Sequence, residues 1–273
     1  MVDSSIITAF AVNIIICFGL PLGCILYLLI AKKRAFMPVL VGAAVFVVFQ
    51  LLIRIPLIQY GLAPMDWWAD MLQHPWLYGI FLGLTAGLFE EGGRYLGYRT
   101  LLKKRRRWID GFAFGVGHGG IEAMALVGLN NISNLFVAQM INSGQYEQIS
   151  SLMPQAAAQD LLTQMTSLQA FDIYLGGFER LCAFIIQIAL SLMVLMAVRK
   201  RKLYIAGIAV VAHMLVDAPI VIIPEVFGGS IYDIEIFVGI MAVLALVFIA
   251  LSRRAFREPA AGAQLEPIDT DQG

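Results

Sequence analysis

Charge is scarce in this chain. Of its 273 residues only 14% are Asp, Glu, Lys or Arg, while 60% are hydrophobic and the mean hydropathy is +0.80. A soluble domain carries about 25% charged residues. So few charges cannot cover the apolar surface of such a chain, which excludes both a soluble globular and a disordered protein. Cysteine is nearly as rare. Cys17, Cys24 and Cys182 all lie within apolar runs, so neither a disulfide framework nor a CxxC metal knuckle is available. There is no HExxH and no GxSxG, which argues against zincin-type and serine-hydrolase chemistry. No basic stretch precedes the first apolar run; one follows it, so that run reads as a retained helix and not as a cleaved signal.

What is present is hydrophobic length. Seven apolar stretches, roughly 5–31, 37–60, 76–102, 109–140, 171–198, 203–225 and 233–252, reach the ~20 residues needed to cross a bilayer. The expected fold is therefore an all-α, polytopic helical bundle with about seven transmembrane helices. Basic clusters mark every second boundary: Lys32-Lys33-Arg34, Lys103 to Arg107, Arg199 to Lys202, and Arg253, Arg254 and Arg257. Loops 61–75, 141–170 and 226–232 contain no Lys or Arg. The positive-inside rule then places the N-terminus outside and the C-terminus in the cytoplasm. Trp67, Trp68 and Trp76 fit an outer aromatic belt and Trp108 an inner one. The basic clusters serve topology and contact with anionic lipid, not nucleic-acid binding.

Residues 1–257 read as one transmembrane domain, and 258–273, rich in Ala, Pro, Gly, Gln and Asp, as a disordered cytoplasmic tail. In the outer loop, Leu161, Met165 and Leu168 recur at helical spacing after Pro154, predicting one amphipathic helix on the membrane. It can serve as a connector or as a lid. Asn130, Asn131 and Asn134 predict that the outer end of the fourth stretch leaves the lipid or lines a cavity.

The net charge is zero, with 19 basic and 19 acidic residues, but the charges are sorted. All basic residues except Arg54, Arg94 and Arg180 sit at the cytoplasmic boundary. Within the membrane remain Glu90, Glu91, Glu122, Glu179, Asp217, His118 and His213. Each such group costs ~2.5–3.5 kcal/mol even on lenient scales, so each needs a partner. At ~1.5 Å rise per residue, Arg94, Glu91, Glu90, His118, Glu122, His213 and Asp217 fall between ~12 and ~21 Å from the cytoplasmic edge. Three helices thus place seven polar groups in one slab. His118/Glu122 and His213/Asp217 are i, i+4 pairs on single helix faces, as are Glu90 and Arg94. Glycine ladders, Gly79/Gly83/Gly87 and Gly111/Gly115/Gly119, predict close approach of the third and fourth helices. Gly117, Gly119 and Gly120 leave room beside His118 for a substrate backbone. Glu179 and Arg180, nearer the outer face, read as structural or as cavity lining together with Arg54, away from this cluster.

A carboxylate beside imidazoles in a hydrated intramembrane cavity is a general-base site, with the histidines sharing a proton or stabilising an oxyanion. The same side chains suit a metal: His118, Glu122, His213 and Asp217 are an N/O ligand set for zinc. Glu90 or Glu91 would then be the base toward a metal-bound water. Spacing does not choose between a metal-free site and zinc. A proton- or divalent-cation-coupled transporter could use the same Glu/His/Asp cluster.

The series EEGGR (90–94), GHGGIE (117–122) and HMLVD (213–217), one motif per helix, resembles the YhfC family of intramembrane proteases. That family is related to PrsW and to the CAAX-prenyl-protease and bacteriocin-processing group. The resemblance implies an intramembrane endopeptidase acting on a membrane-embedded or membrane-associated peptide or protein, in a bacterial plasma membrane. It implies water activated by Glu90, with Glu91 beside it, Arg94 paired to one of the two, and His118 and His213 assisting. CAAX-type members carry Asn where this chain has Asp217, which here matches the PrsW-like pattern and keeps metal ligation open.

Overall fold

The computed structural model describes residues 1–31 and 35–257. The proposed tail 258–273 and the cluster Lys32-Lys33-Arg34 lie outside the described residues. The described chain is helical throughout, without strands. Six helices are long and apolar enough to cross a membrane: Ser4–Ala31, Phe36–Leu62, Trp108–Asn142, Ala170–Lys200, Leu203–Phe227 and Ile231–Ala255. A seventh, Pro75–Thr100, is of similar length but less apolar, because Glu90, Glu91 and Arg94 lie within it. In chain order these are the first to seventh spans, with Pro75–Thr100 the third. The protein is a multi-pass membrane protein.

Polar side chains terminate the spans where hydrocarbon would end. Asp3 accepts from the Ser5 amide at 2.7 Å and caps the first span. Asp110 accepts from the Arg107 amide at 2.9 Å and from its guanidinium at 3.0 Å, capping the fourth on the basic side. Ser230 and Asp233 form a capping box at the start of the seventh. At the basic boundary Trp108 donates to Ser252 at 2.9 Å and lies under the Arg253 guanidinium. On the opposite side Trp67 and Trp68 pack edge-on against Phe81.

Lipid-type burial inverts the usual pattern. Ile30, Leu26, Ile240 and Val243 face outward, while Glu90, Glu91, Arg94 and His118 are buried among the helices. The third and sixth spans form the most extensive helix pair. This corrects the expected destination of the glycine ladders. A Cβ on Gly83 would lie 2.9 Å from the Met214 carbonyl oxygen, and one on Gly87 2.6 Å from that of Val210, both on the sixth span. Gly111 and Gly115 instead meet Leu192 and Ile188 of the fifth. Gly117 lies against the Val39 backbone, Gly119 against Gln187 and Gly120 against Pro21, so helix contacts fill the space expected for a substrate backbone. A ladder of small residues specifies that something approaches closely, not which helix.

The fourth span runs unbroken to Asn142, widening into π-helical turns over Ala123–Gly128 directly after Glu122. Asn131 is buried and donates to Val127 O at 2.9 Å, so it is satisfied along its own helix. The amphipathic outer helix forms at Gln155–Ser167 and buries Met165 with Ile6, Phe10 and Ala138 of the first and fourth spans. It is a connector docked away from the polar cluster.

Candidate active site

The polar residues of four spans converge on one carboxylate, that of Glu90. Glu90 and Glu91 begin the helical turn that ends at Arg94, and the side chains of Glu91 and Arg94 have no exposed surface. The Arg94 guanidinium is hydrogen-bonded to Glu91 and lies 3.5 Å from Glu90 Oε2. A buried carboxylate without a counter-charge is strongly destabilising. One guanidinium between two carboxylates leaves Glu90 to share its charge with other donors.

Those donors come from the fourth, fifth and sixth spans. His118 Nε2 stands 2.9 Å from Glu90 Oε2. Phe46 meets its ring edge-on and Phe114 stacks on it, which fixes the plane of the imidazole. His213 Nδ1 lies 2.7 Å from Glu91 Oε1, and its Nε2 faces Glu90 Oε2 at 4.0 Å and Asp217 Oδ2 at 3.4 Å. Every residue read from the sequence as catalytic or supporting (Glu90, Glu91, Arg94, His118, Glu122, His213 and Asp217) is therefore in this one assembly.

The fifth span adds a residue that spacing arguments passed over. Gln187 accepts from Arg94, and its amide donates to Glu122 Oε2 at 2.6 Å and Glu90 Oε2 at 3.4 Å. It is a neutral residue in an apolar run and offers no charge signal. Its position two turns from Arg180 on one face was the available clue. Arg180 is not remote from the cluster: its guanidinium reaches Glu122 Oε1 at 3.5 Å while also pairing with Glu179. The axial offset assigned from helical rise is bridged by the length of the arginine side chain. Arg54 does not join that pair. It donates to Gln50 at 3.2 Å, Thr85 at 3.2 Å and the Leu82 carbonyl at 2.7 Å.

A cavity of about 50 Å³ opens beside the cluster, lined by Glu122, Glu179, Arg180, Gln187, His213 and Asp217 among others. One water needs roughly 10–15 Å³ of such space. An apolar groove of about 200 Å³, lined by Met193, Ala212, Met241 and Phe248, continues from it through the shared residues Ile186, Leu190 and Val216.

Metal ligands are close at hand. Donor atoms of Glu90, His118 and Glu122 lie within 4.8 Å of one another, the one such group among the described residues. One imidazole nitrogen and two carboxylate oxygens are a donor set suited to zinc. His213 and Asp217 are not part of this trio; His213 Nε2 lies 4.0 Å from Glu90 Oε2 and 3.4 Å from Asp217 Oδ2.

Residues 16–251 match the profile of the family described as YhfC intramembrane metalloprotease. The chain is 35% identical over 260 residues to the "Uncharacterized membrane protein YhfC" of Bacillus subtilis (strain 168), covering 94% of this chain and 100% of that one. No solved structure matches.

Proposed function

The chain belongs to the YhfC intramembrane metalloprotease family, and on that premise we propose that it hydrolyses a peptide bond of a membrane-embedded or membrane-associated substrate at the Glu90 centre. The carrying observation is that Glu90 Oε2 is shared by His118 at 2.9 Å, Gln187 at 3.4 Å, Arg94 at 3.5 Å and His213 at 4.0 Å. A carboxylate so placed beside a hydrated cavity accepts the proton of an attacking water. Glu90 passes that proton to His213 Nε2, 4.0 Å away, and the doubly protonated ring gives it to the leaving amine, which returns both groups to their starting states. The His213 Nδ1–H donates to Glu91, which orients the ring and leaves Nε2 toward Glu90 and the cavity. Asp217, at 3.4 Å from that nitrogen, holds the ring from the cavity side. Arg94 and Gln187 keep Glu90, Glu91 and Glu122 in place against their mutual repulsion.

Glu90, His118 and Glu122 would hold zinc. Zinc bound there supplies a Lewis acid for the scissile carbonyl and lowers the pKa of a coordinated water. The substrate's apolar stretch lies in the groove between the fifth, sixth and seventh spans, and its scissile bond at the cavity that groove leads into.

The test is cleavage of a panel of single-span model peptides by the purified, detergent-solubilised protein, with fragments identified by mass spectrometry. Glu90→Gln is expected to abolish cleavage while the protein still folds; full activity in that variant overturns the mechanism. Uptake of protons or divalent cations into proteoliposomes with no cleavage would favour transport instead.

A further inference from the structure

Hydrolysis at Glu90 consumes water, and burial around the centre is uneven. Toward the basic face the core beside Arg94 is closed, and the groove that leads that way from the cavity is apolar. One turn beyond Arg94, the Tyr98 ring packs against Phe114 at a tilt of 32° with centroids 4.5 Å apart, and its hydroxyl donates to the Ser191 carbonyl at 3.1 Å. Tyr98, Phe114, Leu192 and Leu195 have no exposed surface. Toward the other face, side-chain exposure falls stepwise to the centre: 27% at Glu179, 13% at Glu122, 4% at Glu90 and 0% at Glu91. Asp217, on the sixth span, is 36% exposed into the same cavity.

A second observation concerns the same region. Glu235, on the seventh span, sits one turn above the cavity-lining Val238 and is buried, near enough to Glu179 and Arg180 to feel both charges. Its Oε2 has no hydrogen-bond partner in the protein. A buried carboxyl oxygen without a protein partner is costly unless water or another donor reaches it. Glu235 takes no part in the mechanism above, and a lipid-packed helix has no use for an acid there.

We propose that water reaches Glu90 through a hydrated cleft between the fifth, sixth and seventh spans that opens on the face opposite the basic clusters, with Glu235 at its mouth and the Glu179–Arg180 pair along its wall. The purpose assigned to the cleft rests on the hydrolytic reading; its geometry does not. The competing path is a groove between the third and sixth spans that touches Glu91 near the basic face. Its walls include Leu88, Leu203 and Val210 together with Tyr95 and Tyr204, and the Glu91 side chain is wholly covered. That groove is mostly apolar and offers water only the Tyr95 and Tyr204 hydroxyls beside a covered Glu91.

Single cysteines distinguish the two routes. In full-length protein with Cys17, Cys24 and Cys182 replaced by Ser, the variants are Glu179→Cys, Glu235→Cys and Ile220→Cys, with lipid-facing Ile240→Cys as control. Right-side-out and inside-out vesicles are treated with a charged, membrane-impermeant methanethiosulfonate. The three cleft positions are expected to react from the side opposite the basic clusters about tenfold or more faster than the control, because the hydrated thiolate is the reacting species. Reaction from the basic side alone, or rates equal to the control, overturns the cleft. Ile220→Cys removes no charge and keeps the test decisive if an acidic position does not tolerate cysteine. Labelling needs no substrate, so its failure counts against the cleft alone, whereas cleavage by Glu90→Gln counts against the hydrolytic reading alone.

Discussion

The Gln187 amide donates to Glu122 at 2.6 Å, joining the fifth span to the fourth at the middle of the cluster. The same side chain accepts from Arg94, so a single neutral residue ties two acids and a cation. Gln187→Met keeps the volume and removes all of these bonds. Partners of this kind typically cost 10–100-fold in metal affinity or activity when removed, and a loss of about that size in kcat/KM is expected. Steady-state cleavage kinetics and zinc titration would measure it; an unchanged kcat/KM would show that Gln187 is only packing.

Much of the fold was legible because hydrocarbon imposes a length that composition reports directly. The expected stretch 171–198 is the helix Ala170–Lys200, and 203–225 is Leu203–Phe227. The motif residues were legible because a charge at membrane depth stands out and because i, i+4 spacing fixes a shared face. What stayed hidden was pairing between helices. Gly83 and Gly87 show the same pattern whether they meet the fourth span or the sixth, and only the tertiary fold decides for the sixth. Gln187 and the reach of Arg180 to Glu122 were hidden for a related reason: they depend on side chains from separate helices meeting, which periodicity along one helix does not encode.

Arg94 is the only cation hydrogen-bonded to both Glu90 and Glu91 among the described residues. Removing one member of a buried pair costs about 3–5 kcal/mol, because the partner charge is left uncompensated. Arg94→Leu is therefore expected to lower thermal stability in detergent sharply, and Arg94→Lys to recover it in part, since an ammonium replaces the charge but not the planar fork. Pairing Arg94→Leu with Glu91→Leu should restore stability beyond additivity. A double variant no more stable than Arg94→Leu alone would refute this account of the pair.

The close approach of the third and sixth spans gives a steric prediction. A Cβ at Gly87 would stand 2.6 Å from Val210 O and 3.4 Å from His213 Cβ, so Gly87→Ala must push the sixth span and its histidine outward. Overpacking of this kind costs roughly 1–3 kcal/mol, and the displaced imidazole should lower kcat more than it changes KM. Gly92 has nothing within 4 Å of its would-be Cβ. Gly92→Ala should be neutral or stabilising by up to about 1 kcal/mol through helix propensity. Thermal unfolding of the two variants side by side checks the contrast; equal effects would mean that the helix contact is not tight.

Metal content separates the two histidines. If Glu90, His118 and Glu122 form the ligand trio, His118→Ala and Glu122→Gln each remove a donor from a set whose atoms lie within 4.8 Å. Protein purified in the presence of zinc should then hold close to one equivalent in the unsubstituted chain and well below that in both variants. His213 lies outside the trio and is oriented by Glu91 at 2.7 Å. His213→Ala should therefore keep its zinc while losing most of its activity, in line with the 10²–10⁴-fold contribution of a positioned proton donor. Elemental analysis of the three variants, read beside their cleavage rates, decides the matter. Zinc lost from His213→Ala and retained in Glu122→Gln would move the metal to the His213–Asp217 side of Glu90 and reassign Glu122 to positioning alone.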